Sequence, residues 1–531
     1  MWPSKTQRTL GSILRRQAAA SPDKVFLVFS QRSWTYAEFD QWVDRLAHGL
    51  LMFGLQKGDK VGIMLPNCAE FLAVWFACAR IGVVEVPVNV NYRGHLLQHV
   101  VNHSDTRLLV VAAEFVEQLR QVASALTKLE AIAIWPDMAA STANLPIRQM
   151  RFSDLEIDTR EPVDRVVQPE DALAIIFTSG TTGPSKGAVV PHNYYWWFGE
   201  RGRALRDVTS NERLYTCLPL FHANAQVLTA MPALMGGATA IFDTHFTASG
   251  FWEHLRQFEA TQFNYIGGII PILMRQPPSP RDREHSVRLA FGAAAPKNEW
   301  LQFEERFGVR LMEVYGQTED CVITCNTLDS VRVGSVGRPV WGYEMQVVDD
   351  DDQVVPNGTV GEFVVRPEHP NILMLEYYKM PEATLSVFRN LWFHTGDFGS
   401  RDSDGYFYFV DRKKDAIRRR GENISAYEVE MAVNSHPAVL ESAAYAVPSD
   451  VGEDDVMVAV VLKPGEEVPA LELVQHCEQQ LSYFAVPRYI DFRTEFPKTP
   501  TLRVEKYRLR QQGITPTTWD LEKTGYKLRR H

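Results

Sequence analysis

Apolar positions follow two rhythms along most of the chain. From Tyr36 to Met52 (YAEFDQWVDRLAHGLLM) they recur every three to four residues, which predicts an amphipathic helix. Lys60 to Leu65 (KVGIML) is a short apolar run that predicts a strand. AEFLAVWFACARIG then predicts a helix, and VVEVPVN another strand. Strand-then-helix alternation predicts a parallel or mixed sheet flanked by helices. A second such run extends from about Ala172 to Ile270. From about Gly334 to Val410, short strands alternate with turn signals such as PNGTVGE and RDSDGY. Near the start, Leu10, Ile13, Leu14 and Ala18 share one face of a short helix expected to pack in a core.

The texture changes at DRKKDAIRRRGEN, Asp411 to Asn423, which is dense in charge and reads as a boundary loop. Beyond it the pattern predicts a helix from Ser425 to Ser435 and strands at AAYAVP and VMVAVVLKP. A helix from Leu471 to Tyr483 and a strand from Arg488 to Phe492 follow. The predicted fold class is α/β: a large N-terminal domain, residues 1–410, of α/β lobes plus a β-rich subdomain. A segment of residues 411–424 joins it to a small C-terminal α+β domain, residues 425–531.

At 531 residues the chain has room for three or four structural units of roughly 150 residues each. It is 45% hydrophobic and 23% charged, an ordinary globular balance. A net charge of −10 argues against an extended nucleic-acid surface, while leaving room for a local basic pocket. None of the six cysteines forms a CxxC pair, and Cys321 and Cys325 have no partner set of zinc type, so they read as reduced thiols. The N-terminal stretch lacks the continuous apolar segment of a signal peptide. No uncharged apolar run reaches the roughly 18 residues of a membrane span. The expectation is a cytoplasmic protein without a membrane span.

Candidate chemistry begins at FTSGTTGPSKG, Phe177 to Gly187. A Walker loop reads G-x-x-x-x-G-K-[ST], and this stretch does not: Gly183 follows Gly180 too soon, and Gly187 stands where a magnesium-binding hydroxyl would follow Lys186. The physics still suits a triphosphate. Gly180 and Gly183 let backbone N–H groups turn inward. Thr178, Ser179, Thr181 and Thr182 add hydroxyl donors, and Lys186 adds a mobile positive charge.

Four further stretches stand in order after this loop: GAAAP (Gly292 to Pro296), YGQTE (Tyr315 to Glu319), TGD (Thr395 to Asp397) and DRKKDAIRRRGENIS (Asp411 to Ser425). With FPKTPTLRVEK near the C-terminus, the set resembles the motifs of the adenylate-forming superfamily over essentially the whole chain. The overall texture is similar to free-standing acyl-CoA synthetases of the carnitine/crotonobetaine ligase-like branch. The resemblance implies a two-step ligase. A carboxylic acid attacks the α-phosphate of ATP to give acyl-AMP and pyrophosphate, and CoA then displaces AMP.

The resemblance also implies roles. The loop from Thr178 to Lys186 holds the β- and γ-phosphates. Gly292, Ala293, Ala294, Ala295 and Pro296 form a wall for adenine. Tyr315 stacks on the base, Gly316 allows close approach, Gln317 belongs to the same nucleotide-binding stretch, and Thr318 touches the α-phosphate. Glu319 ligates Mg2+, a hard cation that prefers oxygen. Asp397 and Arg412 bind the ribose. His222, beside Phe221 in LPLFHANAQ, lies at the acyl site. Trp196 and Trp197 read as core aromatics or, less simply, as a cage for a cationic or flat substrate. Lys414 is the hinge about which a mobile C-terminal domain rotates, bringing the loop around Gly421 to the thiol. Arg418, Arg419 and Arg420 either meet the phosphates of CoA or are solvated.

The match breaks near the C-terminus. Relatives read PKT-x-[ST]-G-K, with the lysine serving adenylation. Here strict alignment places Arg503 at that lysine, and Lys506 lies three residues on. If a helical turn starts at Arg503, both cations project from one face; Lys506 is the favoured catalytic cation. Two alternatives stay open: an enzyme that loads a separate carrier protein, and a non-catalytic nucleotide-binding relative. The resemblance also suggests a homodimer. The sequence does not name the acid.

Overall fold

The computed structural model describes residues 4–137, 145–178, 185–266, 269–297, 299–412, 416–419, 422–449, 452–497, 504 and 506–529. The chain divides into two compact units. The first comprises residues 1–90, 101–177 and 187–411; the second comprises residues 91–100, 178–186 and 412–531.

The first unit holds two large sheets and a smaller one. The eight-stranded sheet has a parallel core of Val84–Pro87, Lys60–Met64, Thr106–Ala112, Ala131–Trp135 and Arg148–Arg151. The nine-stranded sheet is parallel through Arg213–Thr216, Thr239–Phe242, Gln262–Tyr265, Leu289–Gly292 and Arg310–Tyr315. The helix Ala69–Ile81 is apolar on every side from Phe71 to Ala79 and buried from Phe71 to Ile81. It touches Lys60–Met64 in one sheet and Val25–Phe29 in the other, as a helix hydrophobic all round must. The predicted helix Tyr36–Met52 has those bounds and opens with a capping box between Thr35 and Glu38. The short helix Leu10–Ala20 buries Leu10, Ile13, Leu14 and Ala18 as expected. A smaller antiparallel sheet contains Tyr343–Val348, Gly361–Pro367 and Trp392–Arg401, the predicted β-rich region. All six cysteines are free.

The second unit contains a four-stranded sheet. Val439–Pro448 pairs antiparallel with Asp454–Leu462, which pairs in parallel with Tyr489–Arg493. Two sequence expectations are corrected here. The charged stretch read as a loop contributes a hairpin, Ala416–Arg419 paired with Glu422–Ser425, in which Ile417 faces Ile424. Both isoleucines are buried in the unit's core. The helix expected from Leu471 to Tyr483 is Ala470–Glu478. Leu481, Phe484 and Ala485 continue its apolar spacing, but turns carry them: the Ala485 N–H returns to the Ser482 carbonyl.

Candidate active site

The strand Arg310–Tyr315 ends at Tyr315, and the chain turns back through the motif into Thr324–Cys325, where Tyr315 pairs with Thr324. The turn is tight. A Cβ on Gly316 would lie 1.3 Å from the Cys321 carbonyl oxygen, so only glycine fits. Asp320, fully buried, accepts the Gln317 N–H at 2.6 Å and so ties the turn to itself. Its other oxygen has no partner among the described residues, and burial pushes its carboxyl well above the usual range.

Three motif residues converge on this turn. Asp397 Oδ2 accepts the Tyr315 hydroxyl at 2.9 Å and the Gln317 side-chain amide at 2.7 Å. Gln317 also donates to the Thr395 carbonyl at 2.8 Å. Tyr315 packs its ring against Phe363, with centroids 5.5 Å apart. Asp397 is 2% exposed, and the hydroxyl of Thr395 receives its N–H. An aromatic ring, an amide and a carboxylate from positions about eighty residues apart thus form one surface.

Glu319 and Thr318 are held from below. The Tyr194 hydroxyl donates to the Thr318 carbonyl at 2.8 Å. The Tyr377 hydroxyl donates to Glu319 Oε1 at 2.7 Å, and the Met374 N–H to its carbonyl at 2.8 Å. Glu319 Oε2 accepts no hydrogen bond from any described residue. One carboxylate oxygen left open suits Mg2+, which takes its remaining ligands from phosphates and water. Among the described residues no group of three His, Cys, Asp or Glu side chains forms a cage for a metal ion.

The Gly292–Pro296 stretch follows the strand Leu289–Gly292. A Cβ on Gly292 would lie 2.1 Å from the Tyr265 carbonyl oxygen of the neighbouring strand. Ala294 adopts φ 64°, a left-handed conformation disfavoured for a residue with a Cβ. Glu313 holds it there. Its carboxylate accepts the N–H of Ala294 at 2.5 Å, the N–H of Ala295 at 3.0 Å and the Tyr265 hydroxyl at 2.8 Å. Burial raises the Glu313 carboxyl to about 7, with the donors pulling the other way. The sequence reading missed this residue. Its signal is a lone acid inside the apolar run LMEVY, directly before the motif.

His222 leads into the helical turn Ala223–Ala225 and lies 4.8 Å from the Phe221 ring. Asn67, another residue the sequence reading missed, fixes this loop. It donates to the carbonyls of Leu218 at 3.0 Å and Asp243 at 2.8 Å, and accepts the Leu220 N–H at 2.8 Å. Trp196 and Trp197 are buried on the helix His192–Leu205. The Arg201 guanidinium lies 4.1 Å from the Trp197 ring and 4.5 Å from Tyr343, and burial lowers it to about 10.

In the second unit, Thr178 and Lys186 stand at the two ends of the glycine-rich loop, with the Thr178 hydroxyl donating to the Lys186 carbonyl at 3.4 Å. Ser179, Gly180, Thr181, Thr182 and Gly183 lie outside the described residues, as do Lys414, Arg420, Gly421 and Arg503. The Arg412 backbone closes the strand Phe407–Arg412. Arg419 is neither solvated nor open to an anion. It pairs with Asp455 at 2.8 Å and donates to the carbonyls of Phe484 and Val486. Lys506 is the first residue of the helix Lys506–Gln512, and the helical turn expected from Arg503 lies outside the described residues. Its ammonium pairs with Glu430 at 2.5 Å.

Comparison with known proteins identifies the family. The AMP-binding enzyme family matches residues 14–378, and the AMP-binding enzyme C-terminal domain matches residues 428–502. A crotonobetaine/carnitine–CoA ligase of Salmonella heidelberg (strain SL476) is 33% identical over 502 residues, 92% of this chain and 96% of that protein. The anthranilate CoA ligase AuaEII in complex with anthranoyl-AMP superposes with a TM-score of 0.72 at 25% identity, over 95% of this chain and 97% of that one. The amide bond synthetase McbA from Marinactinospora thermotolerans shares the fold, with a TM-score of 0.83 at 24% identity over 94% and 99% of the two chains. No helix among the described residues is long and apolar enough to cross a membrane. The chain belongs to the AMP-binding enzyme family and is an ATP-dependent, AMP-forming acyl-CoA ligase.

Proposed function

We propose that the motif residues act here as the family resemblance implies. The observation that carries this reading is the convergence of Tyr315, Gln317 and Asp397 on one buried oxygen. The physical problem is anionic: a carboxylate must approach a polyphosphate, so catalysis rests on positioning and charge neutralisation. Tyr315 offers its ring face to adenine, and Gly292 to Pro296 walls the other side. Asp397 accepts from the ribose hydroxyls, and Arg412 donates to them. The hydroxyls and backbone of Thr178 to Gly183, with Lys186, hold the β- and γ-phosphates. Thr318 contacts the α-phosphate. Glu319 would hold Mg2+, which supplies charge neutralisation between the phosphates.

The acid's carboxylate oxygen forms a bond to the α-phosphorus as the bond to the β-phosphate oxygen breaks, and pyrophosphate leaves. The CoA sulfur then adds to the acyl carbon and AMP leaves with the electron pair. His222, held by the loop that Asn67 fixes, lines the acyl side. Lys506 supplies the adenylation cation after leaving Glu430, with Arg503 second. The family-implied boundaries, residues 1–410 and 425–531 joined by a hinge at Lys414, complete the scheme. Free cysteines accord with a reducing, cytoplasmic setting. A homodimer is carried over from the resemblance alone.

The relatives' printed name makes crotonobetaine and carnitine the first acids to try. Arg201 already occupies a face of Trp197 that a cationic substrate would use, so neutral acids belong in the same panel. Acid-dependent hydroxamate formation across the panel identifies the substrate. No response to any acid, with the fold intact, would favour the non-catalytic alternative.

A further inference from the structure

We propose that Glu313 is a positioning residue for the nucleotide, and that its ionised carboxylate shapes the Gly292–Pro296 turn into the form that receives adenine. The inference rests on the reading that this turn walls the base. Glu313 itself need not touch the nucleotide; it acts through the turn.

The geometry is specific. Two successive N–H groups, from Ala294 and Ala295, point at one carboxylate, and a third donor arrives from Tyr265. Turning both N–H groups inward requires the left-handed backbone at Ala294, a conformation alanine does not choose unaided. The turn leaves the strand at Gly292, where a Cβ would lie 2.1 Å from the Tyr265 carbonyl oxygen, so no side chain can brace it from that position. The carboxylate is the group that ties both N–H groups of the turn to the neighbouring strands, and its charge sets how strongly it does so.

The acceptor count gives the consequence. An ionised carboxylate has lone pairs for all three donors. Protonation turns these charge-assisted bonds into neutral ones, roughly half as strong. The Tyr265 hydroxyl can then turn to the Met312 carbonyl, 3.2 Å away, and accept the new O–H, while the two N–H groups of the turn are held more weakly. Few other groups bias the titration. Tyr265, from the strand Gln262–Tyr265, is a donor. Cys325, from the facing strand, is a buried thiol pushed upward by burial. Arg206 acts electrostatically on Cys325, drawing its thiol downward. Glu304, from the helix Trp300–Phe307, acts on Tyr265 and is occupied with the Leu311 N–H and the Arg310 guanidinium. No cation among the described residues forms an ion pair with Glu313. Burial without a countercharge brings its titration to about 7.

The test measures binding of adenosine, a ligand with no phosphate to titrate, to the full chain by calorimetry from pH 5.5 to 9. If only the ionised form holds the turn, affinity falls as pH drops through about 7. Between one pH unit above and one below that value the loss is about tenfold, because apparent affinity scales with the competent fraction. Glu313→Gln, which cannot change charge, is expected to bind adenosine about fivefold to tenfold more weakly at pH 8 and to show a flat profile. A merely structural side chain would lower the melting temperature without removing the pH dependence. A third protein, Ala293→Leu, adds bulk to the wall directly. Weakened binding in Ala293→Leu together with wild-type affinity and wild-type pH dependence in Glu313→Gln overturns this inference alone. Unchanged binding in both variants overturns the adenine-wall reading as well. Should Glu313→Gln fail to fold, a flat wild-type profile across pH 7 is sufficient to overturn the proposal.

Discussion

Asp397 and Glu319 show what single residues contribute. Asp397 accepts from two motif side chains through one oxygen, which fixes the ring of Tyr315 before any ligand arrives. Glu319 has one oxygen taken by Tyr377 and one open. Glu319→Gln keeps the shape but replaces a charged ligand, so adenylation is expected to fall at least tenfold, about 1.4 kcal/mol in the barrier. Unaltered turnover with an unaltered magnesium requirement would remove Glu319 from the site. Lys506 poses the second residue-scale question, because it is paired with Glu430 within its own unit. It must exchange that partner for substrate. Lys506→Ala is expected to slow adenylation about a hundredfold, roughly 2.7 kcal/mol, while thioester formation from supplied acyl-AMP is spared. Arg503→Ala should cost less, and a reversal of the two would assign the cation to Arg503. The motif residues were legible in the sequence because each carries its chemistry in its own type and spacing. Glu313 and Asn67 were not. Their partners, mostly backbone groups, are distant in sequence, from 18 residues to well over a hundred, and the one local mark is the lone acid of Glu313 in an apolar run.

At the scale of elements, periodicity served best where one rhythm ran unbroken. Tyr36–Met52 and Ala69–Ile81 are long, strongly apolar and cleanly bounded. The hairpin of Ala416–Arg419 and Glu422–Ser425 was hidden because each strand is short and offers a single large apolar residue among charges. Only the pairing of Ile417 with Ile424 gives those charges a buried side. The 0% and 2% exposure of the two side chains makes them core residues of the second unit. Ile424→Ala should therefore destabilise that unit by about 2–4 kcal/mol through lost contact and the cavity left behind. Two thermal transitions followed separately would report it: the transition of the second unit drops and that of the first stays. A loss below about 0.5 kcal/mol would mean the hairpin is not part of that core. The end of the helix at Glu478 misled for a related reason. Turns can continue helical spacing of apolar residues without continuing the helix.

For the whole molecule, the α/β class and the ordering of motifs were readable because strand and helix signals alternate over hundreds of residues and the motifs keep their order. The acid was not readable, since pocket shape depends on which side chains of packed helices point inward. The proposed hinge at Lys414 gives a prediction at this scale. Lys414→Pro fixes φ where rotation is required. Acyl-AMP should still form while thioester formation stalls, and equal loss of both half-reactions in a folded protein would contradict a hinge there. The central claim is that this chain joins an acid to CoA by way of an adenylate. The most direct measurement is product analysis with ATP, Mg2+, CoA and the acid selected from the panel. The account predicts AMP, pyrophosphate and acyl-CoA in equal amounts, with acyl-AMP accumulating when CoA is omitted. ADP and phosphate as the products, or AMP formation independent of any acid, would contradict it.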